Sequence, residues 1–206
     1  MKATGIIMAG GKSSRMGTNK ALLKIGEATV IEKIVAELQK TVSNIIIVTN
    51  KFEDYEFLDL PMVKDIWTDM GPLAGIHAGL HASTTVKNLV VACDMPFISA
   101  QLGDILLRLL DEHDAAVPRI SGQLHPLFAA YRKEVHEEIN QSLQREELRI
   151  RLFFQKVNTK IVTEEDLMAL SFAFQENYFF NMNDPGEFEK ALQLASDQSK
   201  ESSDYE

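Results

Sequence analysis

Apolar and polar positions along this chain repeat with two periods, and the two periods alternate. A short, largely apolar run from Thr4 to Met8 reads as a buried strand and breaks on Gly10-Gly11. Next comes Thr29-x-x-Glu32, a capping-box pattern, and Val30, Ile31, Ile34, Val35 and Leu38 then form the apolar stripe of a helix. Ile45 to Thr49 is a β-branched run ending at Asn50, a second strand. Met62-Val63-Lys64 is a shorter one ending at Asp65. Gly71-Pro72-Leu73-Ala74-Gly75 opens a helix that runs through His81. Leu89 to Cys93 is another apolar run, closed by Asp94-Met95-Pro96. Short buried strands alternating with helices predict an α/β fold: one three-layer domain with a mainly parallel sheet and helices on both faces. Ligands of such sheets sit at the carboxyl ends of strands. Gly10, Asn50, Asp65 and Asp94 all stand there.

The second half is less regular. Leu102, Ile105, Leu106, Leu109 and Leu110 define a helix, and Ala115–Val117 and Leu127–Tyr131 read as strands flanking a Ser121-Gly122 turn. Phe179 to Asn183 reads as a strand that would place Asn181 and Asn183 on one side. Asp184 is then a helix N-cap, with Pro185 at the first helical position and Glu187 at the third. From Ser196 the tail has no apolar periodicity and is expected to be disordered. The domain is therefore expected to span residues 1–195, with a nucleotide-binding half (1–100) and an acceptor-binding half (101–195), followed by a disordered tail, 196–206.

The loop after the first strand changes this from a fold reading to a chemical one. Between Met1 and Gly26 stand Lys2, Lys12, Arg15, Lys20 and Lys24 with no Asp or Glu, in a chain of net charge −9. Glycines next to fixed cations suit a triphosphate, because exposed amides and point charges both favour an anion. Two familiar phosphate loops fail here. Walker A would need a glycine at position 6, which is Ile6, and G-x-G-x-x-G has no match in this loop.

Composition adds bounds. A chain of 206 residues with 45% apolar and 25% charged residues can bury a full core. The single cysteine, Cys93, cannot form an internal disulfide, so a cytoplasmic location is expected. The start of the chain runs straight into a strand, without a signal peptide's apolar region. No apolar run reaches membrane-spanning length, and overall acidity argues against nucleic acid as a partner. Neither C-x-x-C nor H-x-x-x-H spacing is expected to supply a zinc site.

Met8-Ala9-Gly10-Gly11-Lys12-Ser13-Ser14-Arg15-Met16-Gly17…Lys20 resembles the signature of nucleotidylyltransferases with a Rossmann-like, GT-A-like fold. More narrowly, it resembles the molybdenum cofactor guanylyltransferases. The chain departs from that pattern with Asn19 where Asp is frequent and Met8 where Leu is usual. The resemblance implies transfer of GMP from GTP to molybdopterin, with GTP and the pterin cofactor as substrates, Mg²⁺ as cofactor, and proteins of the molybdenum-cofactor pathway as partners. It implies Arg15, Lys20 and Asp94 as catalytic groups and Asp94 as the metal ligand. Met8, Ala9, Gly10, Gly11, Lys20, Asn50, Asp65, Gly71, Leu73, Asp94, Asn181 and Asn183 would hold the nucleotide. His125, in Leu-His-Pro-Leu-Phe, resembles a segment near the second substrate, and Arg145, Arg149 and Arg151 are candidates for that substrate's phosphate. Other readings stay open from the residues alone: a cytidylyltransferase or sugar-phosphate nucleotidylyltransferase of the same fold, or a non-catalytic GTP-binding sensor or scaffold. Oligomeric state is not legible.

Overall fold

A computed structural model describes residues 2–10 and 19–203, with side chains through residue 197. In chain order the elements are β1 (Ala3–Met8), β2 (Lys24–Ile25), β3 (Ala28–Thr29), α1 (Val30–Leu38), β4 (Asn44–Val48), β5 (Met62–Val63), α2 (Pro72–Ala82) and β6 (Lys87–Ala92). Then come α3 (Ala100–Leu109), β7 (Ala115–Ile120), β8 (Gln123–Leu124), β9 (Phe128–Arg132), α4 (His136–Gln144), α5 (Ile150–Phe153), β10 (Thr159–Val162), α6 (Glu164–Ala169) and α7 (Pro185–Ser203).

One sheet organises the chain, in the order β10-β7-β9-β6-β1-β4-β5, with β8 paired to β7. β5, β4, β1 and β6 are parallel, β9 runs against both its neighbours, and β10 is parallel to β7. The expected mainly parallel sheet is thus what the chain forms, with an antiparallel insertion in its second half. β2 and β3 form a separate hairpin, too short to show as a periodic run in the sequence.

Strand alternation sorts β1 between two cores. Ala3 and Ile7 pack with α1 and α3 on one face, whereas Ile6 and Met8 pack with α2 and α4 on the other. α2 lies close on the sheet because its inner face carries Gly75 and Gly79. A Cβ at Gly79 would come 2.4 Å from Ile6 Cγ2, and one at Gly75 would come 2.2 Å from Met8 Cε. Caps form as the sequence indicates. Thr29 Oγ1 accepts from Glu32 N–H at 3.3 Å while the Glu32 carboxylate accepts from Thr29 N–H at 2.7 Å. Asp184 Oδ1 accepts from Glu187 N–H at 2.9 Å, and the Glu187 carboxylate reaches back to Asn183 N–H.

One expectation is corrected. Residues 180–183 form no strand: a 3₁₀ turn ends at Phe179, and Pro185 and Asp184 start a helix just beyond. Of the tail expected from Ser196, the backbone through Ser203 continues α7, and residues 204–206 lie outside the described residues. Helix propagation adds one bond per residue once a nucleus exists, so the tail needs no apolar stripe of its own to extend it.

Candidate active site

The carboxyl ends of β6, β1, β4 and β5 lie along one sheet edge, because these four adjacent strands are parallel. β1 is the switch point: the chain leaves it for β4 and β5 on one side and returns to β6 on the other. That opens a crevice outside the strand ends. Backbone bonds fix where each loop departs. Ala9 N–H donates to Val48 O (2.9 Å), Thr49 N–H to Val63 O (2.9 Å) and Cys93 N–H to Met8 O (3.1 Å).

Asp94 follows β6 and is half-buried. Burial pushes its carboxyl above the usual range, the Lys20 ammonium works against that rise, and Glu187 adds to it. Lys20 also acts on the partly buried Cys93 thiol, which desolvation pushes up to about 12. The cation-bearing turn and the strand-end carboxylate therefore share one electrostatic neighbourhood. Lys20 opens a 3₁₀ turn, Lys20–Leu22, capped by Asn19, whose Oδ1 accepts from Ala21 N–H at 3.2 Å. Gly11 and Arg15 lie outside the described residues.

The remaining candidates separate into groups. Gly10 is exposed, and a Cβ there would meet only Val48 O, at 3.8 Å; the chain's own packing does not demand a glycine, and the open space suits a ligand. Met8 offers little that is polar, since its carbonyl accepts from Cys93 and its side chain packs on α2. Asn50 Oδ1 accepts from Asp65 N–H at 3.3 Å, joining the ends of β4 and β5. Asp65 Oδ1 is buried with no hydrogen-bond partner, and burial pushes its carboxyl up to about 6. Gly71 has φ of +73°, the region that favours glycine, and turns the chain into α2. Leu73's side chain is fully buried. Only its backbone N–H, one of the helix-start donors without an intrahelical acceptor, can serve a ligand.

Asn181 and Asn183 flank the buried Met182, whose N–H donates to Asp94 O at 3.0 Å. The paired asparagines are thus held beside Asp94 by this one backbone bond rather than by a sheet ladder. Asn181 Nδ2 donates to Phe179 O at 2.9 Å. His125 packs tilted against Phe179, 4.3 Å between ring centroids, and burial lowers its pKa; Phe179 leads into the asparagine segment. Arg145, Arg149 and Arg151 are exposed. A cleft of about 710 Å³ behind the Asp94 loop, lined by Lys33, Phe97 and Tyr178 among others, includes none of these candidates.

Two features escaped the sequence reading. Tyr55 and Asp54 anchor Asn19, and nothing in the local pattern announces that contact. His77 and His81 stand at H-x-x-x-H spacing, which was available in the sequence. In the fold they meet His136, with ring centroids 5.5 to 6.1 Å apart. Among the described residues no group of three or more His, Cys, Asp or Glu is arranged to hold a metal ion. No helix of the described residues is long and apolar enough to cross a membrane.

The family model described as a MobA-like NTP transferase domain matches residues 5–159, from β1 into β10. The chain belongs to the MobA-like NTP transferase family. Among its relatives, a probable molybdenum cofactor guanylyltransferase of Pelotomaculum thermopropionicum is 40% identical over 195 residues, covering 95% of this chain and 94% of that protein. One from Carboxydothermus hydrogenoformans, with the same name, is 35% identical over 94% of this chain and 96% of its own length. The molybdopterin-guanine dinucleotide biosynthesis protein A of Archaeoglobus fulgidus has the same fold, with a TM-score of 0.79 at 22% identity over 94% of this chain and 99% of that one. The likeness carried by the first loop thus extends across most of this MobA-like chain, its second half included.

Proposed function

We propose that this chain transfers GMP from GTP to the terminal phosphate of molybdopterin cofactor and releases pyrophosphate. The relatives' names support the reaction, and the observation that favours guanine is the buried, unpartnered Oδ1 of Asp65. Guanine's N1–H and exocyclic amine offer two donors side by side, which satisfy a carboxylate. Cytosine's corresponding edge sets an acceptor beside its amine, and that acceptor would face the carboxylate lone pairs. A buried acceptor left unpaired is costly, so this difference discriminates strongly. Asn50 fixes the Asp65 backbone for that task, and the N–H groups of the α2 start add positive dipole nearby.

In the reaction an oxygen of the acceptor phosphate attacks the α-phosphorus of GTP. The bond from that phosphorus to the β-bridging oxygen breaks, and its electron pair leaves with pyrophosphate. The acceptor brings its own nucleophile, so the protein's work is positioning and charge stabilisation. Lys20, with Arg15 and the Gly10-Gly11 backbone, holds the triphosphate, while Asp94, Asn181 and Asn183 line its opposite side. These donors fit Mg²⁺: hard oxygens, a single carboxylate, and a burial that disfavours the bare charge at Asp94. When bound, Mg²⁺ supplies neutralisation of phosphate charge. His125 is a candidate for the acceptor, as are Arg145 at the end of α4, Arg149 just before α5 and Arg151 within it.

A thermal-shift panel of GTP, CTP, ATP and UTP with Mg²⁺ tests the donor. Saturating GTP at a hundred times its dissociation constant stabilises by about 2.7 kcal/mol, enough to read as a raised melting temperature. A shift with CTP instead would promote the cytidylyltransferase reading. Pyrophosphate release that needs the acceptor separates an enzyme from a sensor; GTP binding with no release would leave the sensor standing.

A further inference from the structure

The turn that carries Lys20 is held by one side chain with a fixed hydrogen-bonding sense. Asn19 Nδ2 donates to Asp54 Oδ2 at 2.9 Å and to the Tyr55 hydroxyl at 2.9 Å. Its Oδ1 accepts from Ala21 N–H at 3.2 Å and stands 3.2 Å from the Tyr55 hydroxyl as acceptor. The two ends of the amide cannot be exchanged, because Ala21 N–H can only donate and an ionised Asp54 can only accept. Tyr55 is buried, and burial pushes its phenol up to about 12, so its hydroxyl keeps its proton at working pH. Asp54 and Tyr55 belong to the loop after β4, whose first residues include Asn50, the side chain that holds Asp65. One short loop therefore ties down the turn of Lys20 at one end and the Asp65 backbone at the other.

We infer that Asn19 is a positioning residue for Lys20, locking the cationic turn onto the β4 loop, and that Asp54 makes an amide obligatory there. A carboxylate at position 19 would keep the bonds from Ala21 and Tyr55 but would oppose Asp54, with no donor between the two. Pulling the turn away would displace Lys20 from the triphosphate while leaving the base end of the site in place. The inference rests on the nucleotide reading above.

The test titrates GTP and GMP, each with Mg²⁺, onto the full chain as wild type, Asn19→Asp, and the exchanged pair Asn19→Asp/Asp54→Asn. The exchanged pair restores one amide facing one carboxylate. Asn19→Asp is expected to weaken GTP about tenfold, the scale of a lost charge-assisted bond. GMP, which lacks the outer phosphates, should stay within about twofold, and the exchanged pair should bring GTP back to within about threefold of wild type. A general loss of structure would weaken both nucleotides alike and would not be repaired by the exchange. Unchanged GTP affinity in Asn19→Asp overturns the inference alone, as does an exchanged pair that binds GTP no better than Asn19→Asp. Should Asn19→Asp fail to fold, the exchanged pair decides: folded with near-wild-type GTP affinity supports the lock, and anything less refutes it. A wild type that binds no nucleoside triphosphate would sink the nucleotide reading, and this inference with it.

Discussion

Replacing Asp65 by Asn should make the nucleotide-free protein more stable above neutrality and less able to choose its base. Burial raises the Asp65 carboxyl from its ordinary 3.8 to about 6. A displacement of that size corresponds to about 3 kcal/mol between the two protonation states. The sign follows from which state gives up the proton first. The unfolded chain loses it near pH 4, the folded chain only near pH 6, so the stability present at low pH is lost as pH rises through about 6. At pH 8 the folded protein then carries an ionised, half-buried carboxylate with one oxygen unpartnered. Urea denaturation without nucleotide, at about pH 4 and about pH 8, reads the difference. Asp65→Asn should match wild type at the lower pH and exceed it by up to about 3 kcal/mol at the higher. With nucleotide the order should reverse if guanine's donors face the ionised form, and GTP affinity of the wild type should fall as pH drops below about 6. A variant less stable than wild type at pH 8, or a stability difference equal at both pH values, would refute the argument that this carboxylate is held ready for a ligand.

Further outcomes follow from other parts of the molecule. Asp94→Asn should abolish pyrophosphate release while leaving the far-UV circular dichroism spectrum unchanged; retained turnover would remove Asp94 from the reaction. His77 is buried, its Nδ1 has no partner, and its pKa is lowered first by burial and then by His136 and His81. The unfolded chain therefore takes up the proton first, and stability should fall as pH drops below about 6.5. His77→Leu should flatten that slope in denaturation curves between about pH 7 and 5, and an unaltered slope would show that the histidine cluster is not its source. Gly79→Ala would drive a Cβ to 2.4 Å from Ile6 Cγ2. It should cost about 1–3 kcal/mol in urea unfolding, and a neutral result would mean that α2 lifts off the sheet freely.

The first half of the chain was legible because its signals are local. Each strand there is an apolar run stopped by a polar or glycine residue, so Gly10, Asn50, Asp65 and Asp94 could be placed at strand ends by inspection. The Thr29 and Asp184 caps were legible for the same reason, since a cap is written within four residues. What failed depended on partners distant in sequence. Phe179 to Asn183 has strand-like composition, but Met182 bonds to the Asp94 carbonyl instead of to a neighbouring strand. Asn19 looks like a neutral departure in the loop until Asp54 and Tyr55 are seen around it. His77 and His81 gain their meaning from His136, which arrives on a different helix.

A nucleotide is expected between the turn of Lys20 and the carboxylate of Asp94. Diffraction from crystals grown with GTP and Mg²⁺ tests it most directly. The triphosphate should lie in the crevice outside β1 and β6, with Lys20 Nζ on its phosphates, Asp94 facing them, and the guanine edge on Asp65. A nucleotide seated elsewhere, or one in the crevice with its base turned away from Asp65, would contradict it.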